Sequence, residues 1–152
     1  MQLGKSRQGK GRRRSRAGMA ALEFGLAVPL LVVLLTAIAE IGFSMYQAMQ
    51  VVYAADAGLA YAAKNGWDSS GITSAAQNAT GLSGMSATPT QYCGCPTATG
   101  ITPATCGSTC ASGNTAGQYV KIGVSFTRMS LIGATGFGLP STFSAQSILR
   151  QN

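Results

Sequence analysis

The sequence predicts an α+β fold: one long N-terminal helix, partly transmembrane, packed on a small antiparallel sheet or hairpin, with a disulfide-stapled loop region between them. Three observations point there. From Phe24 to Ala39 and again from Ile41 to Ala55 the chain carries no charge and no turn cluster. All four cysteines fall between residues 93 and 110. Near the C-terminus, QYVKIGVSF and STFSAQSIL have the composition of paired strands. A chain of 152 residues has room for one modest domain plus an extension, not for two large cores.

Residues 1–18 form a basic leader without hydrophobic periodicity, and no structure is expected there. The leader holds Lys5, Arg7, Lys10, Arg12, Arg13, Arg14 and Arg16 and no acid. From Met19 onward Lys64, Lys121, Arg128 and Arg150 balance Glu23, Glu40, Asp56 and Asp68, so the net charge of +7 lies wholly in the leader. A nucleic-acid-binding domain spreads its cations over a folded face, with aromatics and hydrogen-bonding groups among them. That pattern is missing, and nucleic acid is not an expected partner. Cations beside an apolar segment instead hold that end of the chain in the cytoplasm.

Residues 19–40 are predicted to be the transmembrane part of the helix, and residues 41–66 its amphipathic, extracytoplasmic part. The 40 − 19 = 21 steps from Met19 to Glu40 cover roughly 32 Å, against a hydrocarbon core of ~30 Å. Glu40 is therefore expected to be a solvated residue near the far headgroups. Pro29 lies inside the span, where it removes one backbone donor and should kink the helix. Beyond the span, Ile41, Met45, Ala48, Val52, Ala55 and Leu59 recur at spacings of three and four and predict the packed face. Tyr46, Tyr53 and Tyr61 are expected on a packed face too. Asn65-Gly66 supplies the stop, and Trp67 after it is expected to plug the core.

Residues 67–117 are predicted to be a loop region rich in Gly, Ser, Thr, Ala and Pro, with one short helix at ITSAAQNA (72–79). Its cysteines, Cys93, Cys95, Cys106 and Cys110, have the spacing C-x-C-x10-C-x3-C. A basic cytoplasmic leader places them outside, where disulfides persist. Of three connectivities, the one with Cys93 bound to Cys95 closes a very small ring, so the crossed or nested pairings are expected. A four-thiolate zinc site is the rival; its spacing is imperfect, and an oxidising compartment disfavours free thiolates.

Residues 118–152 are predicted to be a β-hairpin. Val120, Ile122, Val124 and Phe126 line one side of the first strand, and Tyr119, Lys121, Gly123 and Ser125 the other. The second strand is STFSAQSIL, and SLIGATGFGLP between them is expected to be a packed or lipid-facing loop.

No catalytic constellation is visible, so the chain is not expected to be an enzyme, nor to carry a cofactor or metal. There is no histidine to activate a nucleophile, and Glu23 and Glu40 stand about 26 Å apart on a straight helix, too far to share a substrate. Asp56 suits a solvated helix face and Asp68 a loop cap. Glu23 is costlier: a carboxylate at the bilayer centre disfavours insertion by ~2.5–3.5 kcal/mol, less near the edge, and such groups find partners. If the chain were cut after Gly18, the free ammonium of Met19 would stand one helical turn from Glu23, on the same or a neighbouring molecule.

At these residues the sequence resembles known proteins. Gly18 before MAALEF, with glutamate fifth and an aromatic sixth, resembles the processing site of type IV pilins and pseudopilins. More narrowly, AALEFGLAVPLLVVLLTAIAEIGFSMYQAMQVVYAADAGLAYAA (20–63) is similar to the N-terminal segment of the TadE-like family, pseudopilin-type proteins of tight-adherence (Flp) pilus systems in bacteria. Glu23-Phe24, Pro29-Leu30-Leu31 and Glu40-Ile41-Gly42 carry the likeness, and YVKIGVSF with LIGATGFGLPSTFSAQSILR adds a weaker one. The cysteine region is unmatched. The resemblance implies a minor pilin-like subunit cleaved by prepilin peptidase after Gly18, with Met19 as the new N-terminus. Glu23 and Phe24 would then serve subunit pairing, with Glu23 facing a neighbour's terminus. It implies as partners that peptidase, other pilin or pseudopilin subunits, the inner-membrane pilus assembly platform and membrane lipid. It also implies a single-pass protein of the bacterial inner membrane, N-terminus cytoplasmic and C-terminal domain periplasmic or extracellular, with the pilus itself as a further location. Two alternatives stand beside it. Ala37-Ile38-Ala39 could be a signal peptidase site releasing a disulfide-stapled binding domain, or the chain could be an uncleaved single-pass anchor of the pilus or secretion platform.

Overall fold

A computed structural model describes residues 11–131, 133 and 138–151, with side chains from residue 18 onward. Its first element is the helix α1 (Gly11–Asn65), with Pro29 inside it. The helix thus takes in residues 11–18 of the leader, where no structure was expected; residues 1–10 lie outside the described residues. Arg and Ala are good helix formers, and extending an existing helix adds one hydrogen bond per residue fixed, so the apolar segment propagates backwards into the arginines. At the other end Gly66 takes a φ of 78° and its N–H donates to the Ala62 carbonyl at 3.0 Å, ending the helix where Asn65-Gly66 predicted.

The chain divides into two units, one ending at Ile41 and one starting at Gly42. In the first, none of residues 18–39 is buried, and Leu26, Leu30, Leu34 and Ile38 stand open along with the rest of the apolar run. This part of α1 is long and apolar enough to cross a membrane.

The second unit holds a four-stranded antiparallel sheet: β1 (Ser86–Thr97), β2 (Gly100–Pro103), β3 (Gly117–Thr127) and β4 (Thr142–Gln151), in the spatial order β2-β1-β3-β4. β3 and β4 pair from Gln118↔Gln151 to Thr127↔Thr142, the two strands that alternation predicted. Residues 132 and 134–137 of the apolar stretch joining them lie outside the described residues. β1 and β2 are a finding against expectation, because they occupy the region taken for loop. Facing the helix, β1 presents Ala87, Pro89 and Gln91, opposite Val124, Ile122 and Val120. With small and polar residues inward and threonines outward, β1 has no apolar alternation to read. Its Pro89 is tolerated because β2 pairs only with Gly94–Thr97, leaving residues 86–93 as an edge.

The core lies between this sheet and the second half of α1. Val120, Ile122, Val124 and Phe126 project from β3 onto Val51, Ala54, Ala55 and Ala62, joined by Ile72 and Ala76 of α2 (Ser69–Asn78) and by Met85. The helix face that packs is only in part the one predicted: Ala55 is buried in the core and Leu59 packs against it, but Ile41, Met45 and Val52 are not covered. Met45 and Val52 are outward, at 63% and 51% exposure, while Ser44, Gln47, Val51, Ala54, Ala55, Gly58 and Ala62 are buried. Small residues win because the helix must approach the sheet closely: a Cβ on Gly58 would stand 2.5 Å from Ile122 Cδ1. Tyr46 and Tyr53 are likewise exposed, and Trp67 is a rim residue rather than a core plug.

Candidate functional site

The first candidate site is the start of the apolar segment. Gly18, Met19, Glu23 and Phe24 are all exposed on α1. Met19 and Glu23 are four residues apart and so share one face of the helix. A Cβ on Gly18 would meet nothing within 4 Å. Since glycine in a helix interior costs about 0.5–1 kcal/mol relative to alanine, and packing within the chain does not need it here, Gly18 has no structural reason of its own. The neighbours of Glu23 along the helix, Met19, Leu22, Phe24 and Leu26, are apolar and exposed.

Glu40 is fully buried, which corrects the expectation of a solvated headgroup residue. A buried carboxylate is sustained only where other groups satisfy it. The next polar positions on that stripe are also inside. Gln47, fully buried, donates from Nε2 to the Met129 carbonyl at 2.8 Å and accepts at Oε1 from the Met129 N–H at 2.9 Å. Its amide thereby pairs with the chain just past β3 as a neighbouring strand would. The Arg128 Nη1 donates to Ser44 Oγ at 3.5 Å. Sequence reasoning missed this polar seam. The signal was present as Glu40, Ser44 and Gln47 at spacings of four and three, continued by the small residues of the core, but bulk apolarity pointed to the adjacent face.

Past the helix, Asp68 caps α2. Its Oδ1 accepts from the Ser70 N–H at 3.2 Å and the Ser70 hydroxyl at 2.8 Å, and its Oδ2 from the Tyr61 hydroxyl at 3.2 Å. The backbone N–H of Gly71, then the Ser70 hydroxyl, hold the Asp68 carboxyl below its usual range. Burial, then the bond to Asp68 and its charge, push the Tyr61 hydroxyl up. A side chain on Gly71 would collide with Asp68 and Tyr61, so this glycine keeps the cap open.

The cysteines form two crossed disulfides, Cys93–Cys106 and Cys95–Cys110, with Cα separations of 5.1 and 5.6 Å. They tie the end of β1 to residues 104–116, and no cysteine is left to be a thiolate ligand. Among the described residues no group of three His, Cys, Asp or Glu is placed to hold a metal.

The family model of TadE-like protein matches residues 18–60. The chain is TadE-like over this stretch. The TadE-like segment opens at Gly18, takes in Glu23, Pro29 and Glu40, and ends within α1 before the sheet and both disulfides. It points to a Tad pilus-associated protein. Neither the curated proteins nor the solved structures offer a match to the chain.

Proposed function

We propose that this protein is a minor pilin- or pseudopilin-like structural subunit of tight-adherence pilus assembly, cut after Gly18 by a prepilin peptidase. One observation carries the proposal: the TadE-like segment opens at a glycine that nothing in the chain requires, five residues ahead of a carboxylate that is the only charge in residues 19–39, a stretch with no buried residue. The cut creates the Met19 ammonium, and Glu23 of the same or a neighbouring subunit neutralises it. Phe24 and the apolar residues that follow lie in lipid before assembly and against other subunits after it. The arginine-rich leader keeps the cut on the cytoplasmic side, leaving the disulfide-stapled unit across the membrane.

The mature N-terminus, read by mass spectrometry of protein from a piliated host, tests the cut. Met19 is the expected result; Glu40 would indicate a secreted domain, and an intact leader would indicate a plain anchor. Glu23→Ala is expected to leave membrane insertion intact and to lower co-purification with the other pilus subunits about tenfold. Equal recovery of wild-type and variant in that assay would remove the pairing role.

A further inference from the structure

The end of the second unit away from Gly42 contains a cleft that the pilin reading does not use. It measures about 450 Å3, within the size range of small-molecule sites, and lies between the last turn of α1 and the end of the β3–β4 ladder. Trp67 stands on its rim at 39% exposure. Gln118 and Gln151, directly opposite each other in the ladder, line it together with Leu149 and Ala63.

Three features of the lining define what would fit. First, the amides are placed and partly spare. Gln91 donates from Nε2 to Gln151 Oε1 at 2.9 Å, which fixes the Gln151 side chain and leaves its own N–H groups to donate elsewhere. Among the described residues the Gln118 amide has no side-chain partner, so it can both donate and accept. Second, the cleft has no charged side chain pointing into it. Arg150 borders it, but the ladder pairs Arg150 with Tyr119, on the face turned away from the helix, and its Nε would lie 2.9 Å from a Cβ on Gly117, on that same face. Third, the one aromatic surface is an indole beside those amides. An indole face packs against the C–H face of a pyranose, while glutamine amides donate to and accept from ring hydroxyls.

We propose that this cleft is a binding site for a neutral saccharide, with Trp67 as the stacking surface and Gln118 and Gln151 as the hydroxyl-binding groups. An acidic sugar would bring a carboxylate to a site with no facing cation, and a purely apolar ligand would bury the amides unsatisfied. The site sits on the unit that carries the disulfides, and it does not depend on cleavage at Gly18.

Trp67 is the single tryptophan of the chain, so its fluorescence reports on this cleft alone. The full chain in lipid nanodiscs, prepared without sugar detergents, is titrated with the methyl glycosides of glucose, galactose, mannose and N-acetylglucosamine and with their disaccharides. Glucuronic acid is included as the acidic control. The expected result is a saturable change for at least one neutral sugar, with a Kd of about 1 mM, weakened about tenfold by Gln118→Ala. Gln118 is exposed, and an unchanged melting curve verifies the fold of that variant. Saturation-transfer NMR on Trp67→Ala should show the same loss. No saturable response from any neutral sugar up to about 50 mM, a response indifferent to Gln118→Ala, or glucuronic acid binding as well as the neutral sugars would each overturn the proposal. None of these outcomes bears on the N-terminus, so the pilin reading stands or falls separately.

Discussion

Residues 18–39 and the unit from Gly42 onward are built on opposite terms. The first stretch has no buried residue and exposes Leu26 and Leu30 at 73% each; the second buries Val120, Ile122 and Val124 almost completely against its own helix and staples its loops with two disulfides. The buried side chains of the second unit have their partners within the chain. None of residues 18–39 is buried within it, so changes there are expected to leave the melting curve unmoved. Only the second unit holds glycines that packing requires: Gly58 and Gly94 are hemmed in by Ile122 and by Ile101 and Thr102, whereas Gly18 and Gly25 face open space.

Breaking the staples should have the largest effect. Replacing Cys93, Cys95, Cys106 and Cys110 by serine is expected to cost about 2–4 kcal/mol per bridge, enough to unfold the sheet unit while α1 still inserts. Retained strand signal in circular dichroism at 37 °C would show the core to be self-sufficient. A matched pair of core changes sharpens the contrast. Ile122→Ala should lower unfolding stability by about 2–5 kcal/mol, whereas Leu34→Ala, exposed at 58%, should leave the melt of the second unit unmoved. A shift from Leu34→Ala comparable to that from Ile122→Ala would erase the distinction between the two units.

Gly58→Val, which forces helix and sheet apart, is expected to cost about 1–3 kcal/mol in the same denaturation experiment. An unshifted midpoint would mean that the close approach to Ile122 is not required. The smallest effect is expected from Asp68→Ala, which removes the α2 cap and should lower the melting temperature by about 4 °C at pH 7. The carboxyl of Asp68 is held below the ordinary value near 3.9, so its contribution is fully present above that pH and lost as pH falls through the depressed folded value. Wild-type and Asp68→Ala melting temperatures should therefore converge in acid. A gap that stayed constant down to pH 2 would show that the charge of the cap is irrelevant.

Much of the chain was legible before folding was considered. Local chemistry suffices for the span, the helix stop at Asn65-Gly66, the pairing of residues 118–127 with 142–151 and the short helix near residue 72, because each rests on neighbours along the sequence. Gly18, Met19, Glu23 and Phe24 were singled out on the same footing, because the resemblance that picks them out is linear and needs no tertiary contact. β1 was hidden because its inward residues are small or polar and become a strand only by pairing with β3. Helix periodicity could say that α1 packs one face, but not which face, because a sheet that must come close selects Ala54, Ala55, Gly58 and Ala62 over larger residues. Gln47, Trp67 and Gln118 acquire their roles from residues 82, 51 and 33 positions away, namely Met129, Gln118 and Gln151. The sequence by itself determined which stretch is long and apolar enough to enter a membrane. Only the tertiary structure decided which cysteines join, which helix face is covered and where a cleft is left, since those depend on distances that no linear spacing encodes.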